Sequence, residues 1–425
     1  MALQTIEQAE WSFCTGENGG AQLRMGQIHI TGEDEPMATQ PVHQGPIEAL
    51  GIKLISSDNH VNEPRDLFIS RFPAHLKDKA PRVVRGADGG DGWSITGEAP
   101  KRTYGLEAMA GYDKKDYRAS GLRYEDLRPG NYNGHEHLKD MEIDGIYASV
   151  CYPGMGPSFY VHPDKEVAAA GFLAYNDWIL DDFQAANPKR LCGVAIAPTE
   201  LGIDFAVAEL KRAAKKGARA MYIPGNPSVP YNHPTHYENL WQAAHEQSMT
   251  LCFHRNHGGP PDKTDWDRVV EDRVSIGGIV TRYFSAVRPF SYLIFAGVFD
   301  RYPNLKIVGA EVDCGWVPFW VQTMAHHWDI QKSWFPIKLQ HDPTEFVGKN
   351  VFTTNVDDYV GYDLVKTGLF PYLSTMTMFS SDYPHSATIW PHSRAVAEKM
   401  TQGMKPEDTR KVLSENAARV FGFQI

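Results

Sequence analysis

The chain has 425 residues, 42% of them hydrophobic and 22% charged, which is ordinary for a globular protein able to bury a sizeable core. A formal net charge of −10 excludes a nucleic-acid footprint or an anionic-membrane surface as the main business of the chain, because both need basic clusters to neutralise phosphate. No window approaches the roughly 18 to 20 apolar residues of a membrane span, and the N-terminus lacks a basic-then-apolar signal pattern, so the cytoplasm is the expected location.

Residues 1–48 hold scattered glycines and polar residues with little periodicity and read as an N-terminal arm lying on this subunit or a neighbour. Beyond them, 49–425 reads as one domain. Short runs rich in β-branched residues alternate there with longer amphipathic stretches, the pattern of parallel strands joined by helical crossovers. Strands are predicted at 52–57, 146–151, 191–197, 218–223, 250–254, 306–311, 351–354 and 377–381. Helices are predicted at 164–186, 203–215, 237–247, 316–329, 362–368 and 406–422. Eight strand–helix units in one series predict an α/β fold of the (β/α)8 TIM-barrel type, since an open doubly wound sheet normally uses five or six.

Two linkers break the rhythm, 61–140 after the first strand and 255–300 after the fifth. Long insertions that follow barrel strands hang over the C-terminal mouth, where substrates bind. The five cysteines are scattered without a C-x-x-C pair, and four lie in or beside apolar runs, so they read as buried free thiols.

Metal-capable side chains fall at the ends of these strands. Strand one ends in Ser57-Asp58-Asn59-His60, and a period of two turns Asp58 and His60 to one side. Strand five ends in His254, strand six in Glu311, and strand eight in Ser380-Ser381-Asp382 with His385 three residues on. Each alone has a bland reading: a satisfied core histidine for His254, an arginine's partner for Glu311, a helix cap for Asp382. Together they set several ionisable groups against a hydrophobic core, which is costly unless a cation gathers them. Trp316, Trp320 and Trp328 read as packing, and the pairs His233/His236 and His326/His327 as surface or pocket wall. Neither HExxH nor G-x-S-x-G occurs.

At these residues the sequence resembles the amidohydrolase-related family of aminocarboxymuconate-semialdehyde and resorcylate decarboxylases and related hydrolases. The resemblance runs over about residues 51–422 and is carried by ISSDNHVNEPRDLF at 55–68, FDRYPNLKIVGAEVDCGWVPFW at 299–320 and FSSDYPHSATIWP at 379–391. It implies a divalent metal held by Asp58, His60, His254 and Asp382. Two positions depart from the better-known members: Asp58 stands where they have His, and Glu311 where many have His. Carboxylates in place of imidazoles harden the ligand set, shifting preference from zinc toward manganese or iron and toward two adjacent cations. Glu311 is then placed to bridge the two, with His385 on the second.

Three functions follow as expectations. The first is a metal-dependent hydrolase or decarboxylase acting on a small carboxylate, aromatic ones included. In it Asp382 moves the proton, His257 stands by as an alternative proton donor, and Arg255 clamps the substrate carboxylate. The second is a dinuclear iron or manganese monooxygenase using Asp58, His60, His254, Glu311, Asp382 and His385. The third is a non-catalytic partner in a hetero-oligomer. A homo- or hetero-oligomer is expected from the arm and the apolar helix after strand six.

Overall fold

The computed structural model describes residues 14–15, 21–22, 46–100, 102–255, 258–259 and 276–425. The chain divides into two units, Met1–Gln44 and Gly45–Ile425. In the first, Cys14–Thr15 pairs antiparallel with Ala21–Gln22. The second contains eight parallel strands: β1 (Ile55–His60), β2 (Ala148–Tyr152), β3 (Leu191–Gly193, resuming at Ala195–Ile196), β4 (Ala220–Tyr222), β5 (Thr250–His254), β6 (Ile307–Ala310), β7 (Val351–Asn355) and β8 (Thr377–Phe379). All their residues are buried, as parallel strands between helices and a filled interior must be.

Each strand pairs with the next in sequence. The ring closes just past the end of β8, where Asp382 N donates to Asp58 O at 3.0 Å and His60 N donates to Tyr383 O at 2.6 Å. The fold is the (β/α)8 barrel expected from the alternation.

Helices α1 (Gly134–Asp144), α2 (Lys165–Trp178), α3 (Ile203–Lys215), α4 (Glu238–Glu246), α5 (Val287–Phe295), α6 (Val317–Gln331), α7 (Tyr359–Thr367) and α8 (Ser393–Thr401) follow the strands in turn. Local chemistry sets their ends. Asn133 caps α1 by accepting from His135 N and Glu136 N, and Gly145, at φ 72°, ends it in a left-handed turn that a side chain would resist. On α3 the buried residues are Ala206, Glu209, Leu210 and Ala213, one face at helical spacing.

The structure moves some boundaries. The first strand starts at Ile55 and runs to His60, so Asp58 and His60 lie within it: pairing with β2 continues through polar residues that an apolar run does not reveal. The third strand changes partners midway. Residues 191–193 pair with β2 and residues 195–196 with β4, so the continuous strand expected over 191–197 is interrupted at Val194. The helix expected over 164–186 is α-helical only to Trp178, then passes through a π turn (Ile179–Phe183) and a 3-10 turn (Gln184–Ala186).

The insertion after β1 contains an antiparallel hairpin, Arg82–Arg85 with Asp91–Ser94. It also has a small core of its own, formed by Tyr104, Ala108, Met109, Leu122, Tyr124 and Leu127. Cys151, Cys192, Cys252 and Cys314 are buried free thiols, as expected. Among the described residues no helix is long and apolar enough to cross a membrane.

Candidate metal centre

Asp58, on β1, is fully buried, and its Oδ2 accepts a hydrogen bond from Thr354 Oγ1 on β7 at 2.8 Å. Between Ser56 and Asn59 the β1–β2 register shifts, the irregularity that aims a side chain at a barrel rim. His60 Nε2 stands 3.4 Å from Asp58 Oδ1 and 3.4 Å from Asp382 Oδ1. His254, the last residue of β5, brings its Nε2 to 3.7 Å from Asp58 Oδ1, with its ring edge-on to His60. His385 stacks on the His60 ring at 3.8 Å and holds Nδ1 3.0 Å from Asp382 Oδ1. Residues from distant stretches of chain thus meet in two groups that share His60: Asp58, His60 and His254, and His60, Asp382 and His385.

Glu311 reaches this cluster from one side. Its Oε2 is 3.3 Å from His254 Nε2, while its Oε1 is paired with the Arg255 guanidinium. Arg255 also lies over the Tyr283 ring at 5.2 Å. The guanidinium expected to clamp a substrate carboxylate is therefore engaged with Glu311. His257 lies outside the described residues.

These residues fit a divalent cation on three observations. Asp58 Oδ1 and both Asp382 oxygens are buried without a hydrogen bond, a rare and costly state unless a ligand satisfies them. Donor atoms sharing a cation at about 2.1 Å stand roughly 3.0 to 3.4 Å apart, which is close to the spacing here. Burial, and then the nearby Asp382 charge, push the Asp58 carboxyl well above the usual carboxylate range, against the pull of the Thr354 hydrogen bond and Arg255. A carboxyl so disfavoured as an anion stays ionised only beside positive charge.

Backbone strain marks the same ring. Arg255, Glu311, Asp313 and Asp382 all adopt left-handed φ between 49° and 54°, each just past a barrel strand. Non-glycine residues take this conformation at a cost, and it clusters at functional sites.

Sequence reasoning missed Thr354, which joins two elements: it accepts from Glu311 N at 2.7 Å and donates to Asp58. Its signal was a polar residue at the mouth end of a fully buried strand. It also missed Glu63, buried just after the β1 motif, whose carboxylate accepts from Met155 N at 3.0 Å and Gly156 N at 3.1 Å and pins the loop after β2. Burial raises its pKa and those hydrogen bonds lower it. A cavity of about 780 Å³ opens beside His60, His254 and His385, walled by Trp93, Tyr104 and Tyr222 among others.

The amidohydrolase family model matches residues 152–423. The chain belongs to the amidohydrolase family. Solved structures share the fold of this amidohydrolase at low identity. One is an amidohydrolase from Mycobacterium avium subsp. paratuberculosis K-10, 19% identical, covering 87% of this chain and 99% of that one at a TM-score of 0.68. A second is 5-carboxyvanillate decarboxylase from Sphingomonas paucimobilis, 20% identical, with 88% and 100% coverage and a TM-score of 0.58. A third is a dihydroxybenzoic acid decarboxylase from Polaromonas sp. JS666 with bound manganese and 2-nitroresorcinol, 17% identical, with 87% and 97% coverage and a TM-score of 0.57. No curated protein matches the chain.

Proposed function

We propose that this amidohydrolase is a metal-dependent carboxy-lyase that removes carbon dioxide from a small aromatic carboxylate, with its divalent cation held by Asp58, His60, His254 and Asp382. The observation that carries the reading is the meeting of Asp58, His60 and His254, and of His60, Asp382 and His385, at the barrel mouth, with three buried carboxylate oxygens left for a ligand. The neighbours that are aromatic-acid decarboxylases, one of them holding manganese, support the choice of reaction and of metal class.

A bound cation supplies positive charge that polarises the substrate's oxygens. The chain's own residues do the rest. Decarboxylation breaks the bond between the ring carbon and the carboxylate, leaves the electron pair on that carbon, and needs a proton there as carbon dioxide departs. His385, on the cavity wall, and the buried Asp382, 3.0 Å from it, are the pair assigned to hold and deliver it. Arg255 serves in this reading as the charge partner of Glu311.

Exposed apolar side chains Phe319 and Ile330 on α6, and Trp334 just beyond it, support the expected oligomer, which a monomer by light scattering would remove. The buried free thiols suit a reducing compartment, in keeping with the cytoplasm.

The test is elemental analysis of protein purified without chelator, followed by assays of carbon dioxide release from ring-hydroxylated benzoates. One manganese or zinc per chain with carbon dioxide release is the expected result. Two redox metals with dioxygen uptake would replace the reading by an oxygenase, and full activity in Asp382→Ala would end the metal-site argument.

A further inference from the structure

Several hydrogen bonds beside the metal centre converge on one side chain that is not itself a candidate ligand. Asn59 is buried in β1, and its Oδ1 accepts from Ser56 Oγ at 2.8 Å, Ser381 Oγ at 2.8 Å and Tyr383 N at 3.1 Å. A backbone N–H can only donate, so the Tyr383 bond fixes the amide oxygen on this side. Asn59 Nδ2 donates to Ser149 Oγ on β2 at 2.7 Å.

The positions of these partners along the chain carry the argument. Asn59 stands between the candidate ligands Asp58 and His60, while Ser381 and Tyr383 flank the candidate ligand Asp382. One amide oxygen therefore joins the residue between the β1 ligands to both neighbours of the β8 ligand. The spacing at stake is the 3.4 Å that separates His60 Nε2 from Asp58 Oδ1 and, equally, from Asp382 Oδ1. Asp382 also holds its φ at 50°, a conformation that costs a non-glycine residue free energy and persists where surrounding bonds enforce it. The ring of strands closes without Asn59, since Ser57 Oγ donates to Phe379 O at 2.7 Å and Asp382 N to Asp58 O at 3.0 Å. An amide suits the position because an aspartate would add a third buried carboxylate beside Asp58 and Asp382.

We propose that Asn59 is a positioning residue that fixes Asp382 relative to Asp58 and His60, so that the centre meets its divalent cation already assembled. This rests on the metal-site reading above. Ligands held at coordination spacing beforehand lose no affinity to being gathered when the ion arrives.

The experiment uses the full chain, freed of metal with chelator, and three readouts: manganese affinity by titration calorimetry, the visible absorption of the cobalt(II)-loaded protein, and melting temperature. Asn59→Leu, close in volume but without hydrogen bonds, is expected to weaken manganese binding about 50-fold, and Ser381→Ala about tenfold. The double variant is expected to lose no more than Asn59→Leu alone, because both changes remove the same link. The cobalt spectrum, which reports the arrangement of ligands around the ion, shifts in Asn59→Leu and in Ser381→Ala. Ser149→Ala cuts the bond to β2, which carries no candidate ligand; it should lower the melting temperature while leaving the spectrum unchanged and manganese affinity within about twofold. Manganese affinity within about twofold of the unmodified protein in Asn59→Leu, or a double variant that loses the full product of about 500-fold, overturns the assignment and leaves the metal site standing. Ser149→Ala weakening manganese as much as Asn59→Leu shows a packing role and also overturns it. Should Asn59→Leu not fold, an unchanged affinity and spectrum in Ser381→Ala overturn it alone. If the unmodified protein binds neither manganese nor cobalt, the metal-site reading itself falls.

Discussion

At the floor of the barrel, several polar side chains are bonded to the backbone. Asn416 Nδ2 donates to Ser374 O and Thr377 O, both at 2.8 Å, Thr250 Oγ1 donates to Val420 O at 2.7 Å, and Ser414 Oγ donates to Lys53 O at 2.7 Å. These bonds tie the starts of strands to the closing helical segments. At the mouth the pattern is reversed: Asp58 and Asp382 are just as buried but keep oxygens unbonded, and four residues there are held in left-handed backbone. Ser248, before β5, also has a left-handed φ of 51°, and Asn350 Oδ1 and Thr377 Oγ1 at strand starts are also unbonded, so what sets the mouth apart is buried carboxylate oxygen left ready for a ligand.

Mutation can break or sharpen that contrast. Asp382→Ala should have the largest effect, lowering manganese affinity by more than about 100-fold, as read by metal titration. The melting temperature of the metal-free protein should hold or rise, because a buried unbonded carboxylate is gone.

A buried carboxylate away from the mouth gives the next effect. Asp144 accepts from Ser393 N at 2.8 Å and Ser393 Oγ at 2.5 Å, yet burial still raises its pKa to about 6. The folded state therefore binds more protons than the unfolded one between about pH 4 and pH 6. Its contribution is fully present below about pH 4 and is lost as pH rises through 6. Urea titrations from about pH 3 to about pH 8 should show the wild type losing roughly 3 kcal/mol relative to Asp144→Asn. A pH-independent difference would mean the carboxyl is not so perturbed.

At the floor, Asn416→Ala leaves two carbonyls without their donor and should cost about 2 kcal/mol of unfolding free energy, with metal affinity unchanged. Should metal affinity fall with it, the two ends are coupled and the contrast is too sharply drawn. Thr354→Val should do the smallest damage, about tenfold in manganese affinity, by freeing Asp58 Oδ2 and leaving Glu311 N without its acceptor.

Asp58, His60, His254 and Asp382 could be picked out in the sequence as candidates because they fall at or near strand ends, and in this fold strand ends share one rim; Glu311, picked out in the same way, is paired with Arg255 and lies outside the two metal-capable groups. His385 was legible from its three-residue spacing to Asp382. Thr354 was not, since nothing near it in sequence says that its hydroxyl meets an aspartate on β1. Arg255 looked available for substrate because its partner Glu311 lies beyond another strand.

The sequence by itself determined the alternation of strands and helices, the eightfold count and the identity of the groups able to hold a cation, because burial periodicity and side-chain chemistry are local properties of the chain. The tertiary structure alone decided which carboxylate oxygens stay unbonded, which arginine is already paired, where β3 changes partners and which residues bend into left-handed backbone. Those outcomes depend on hydrogen-bond partners far apart in the chain, and only the closed ring of strands brings them together.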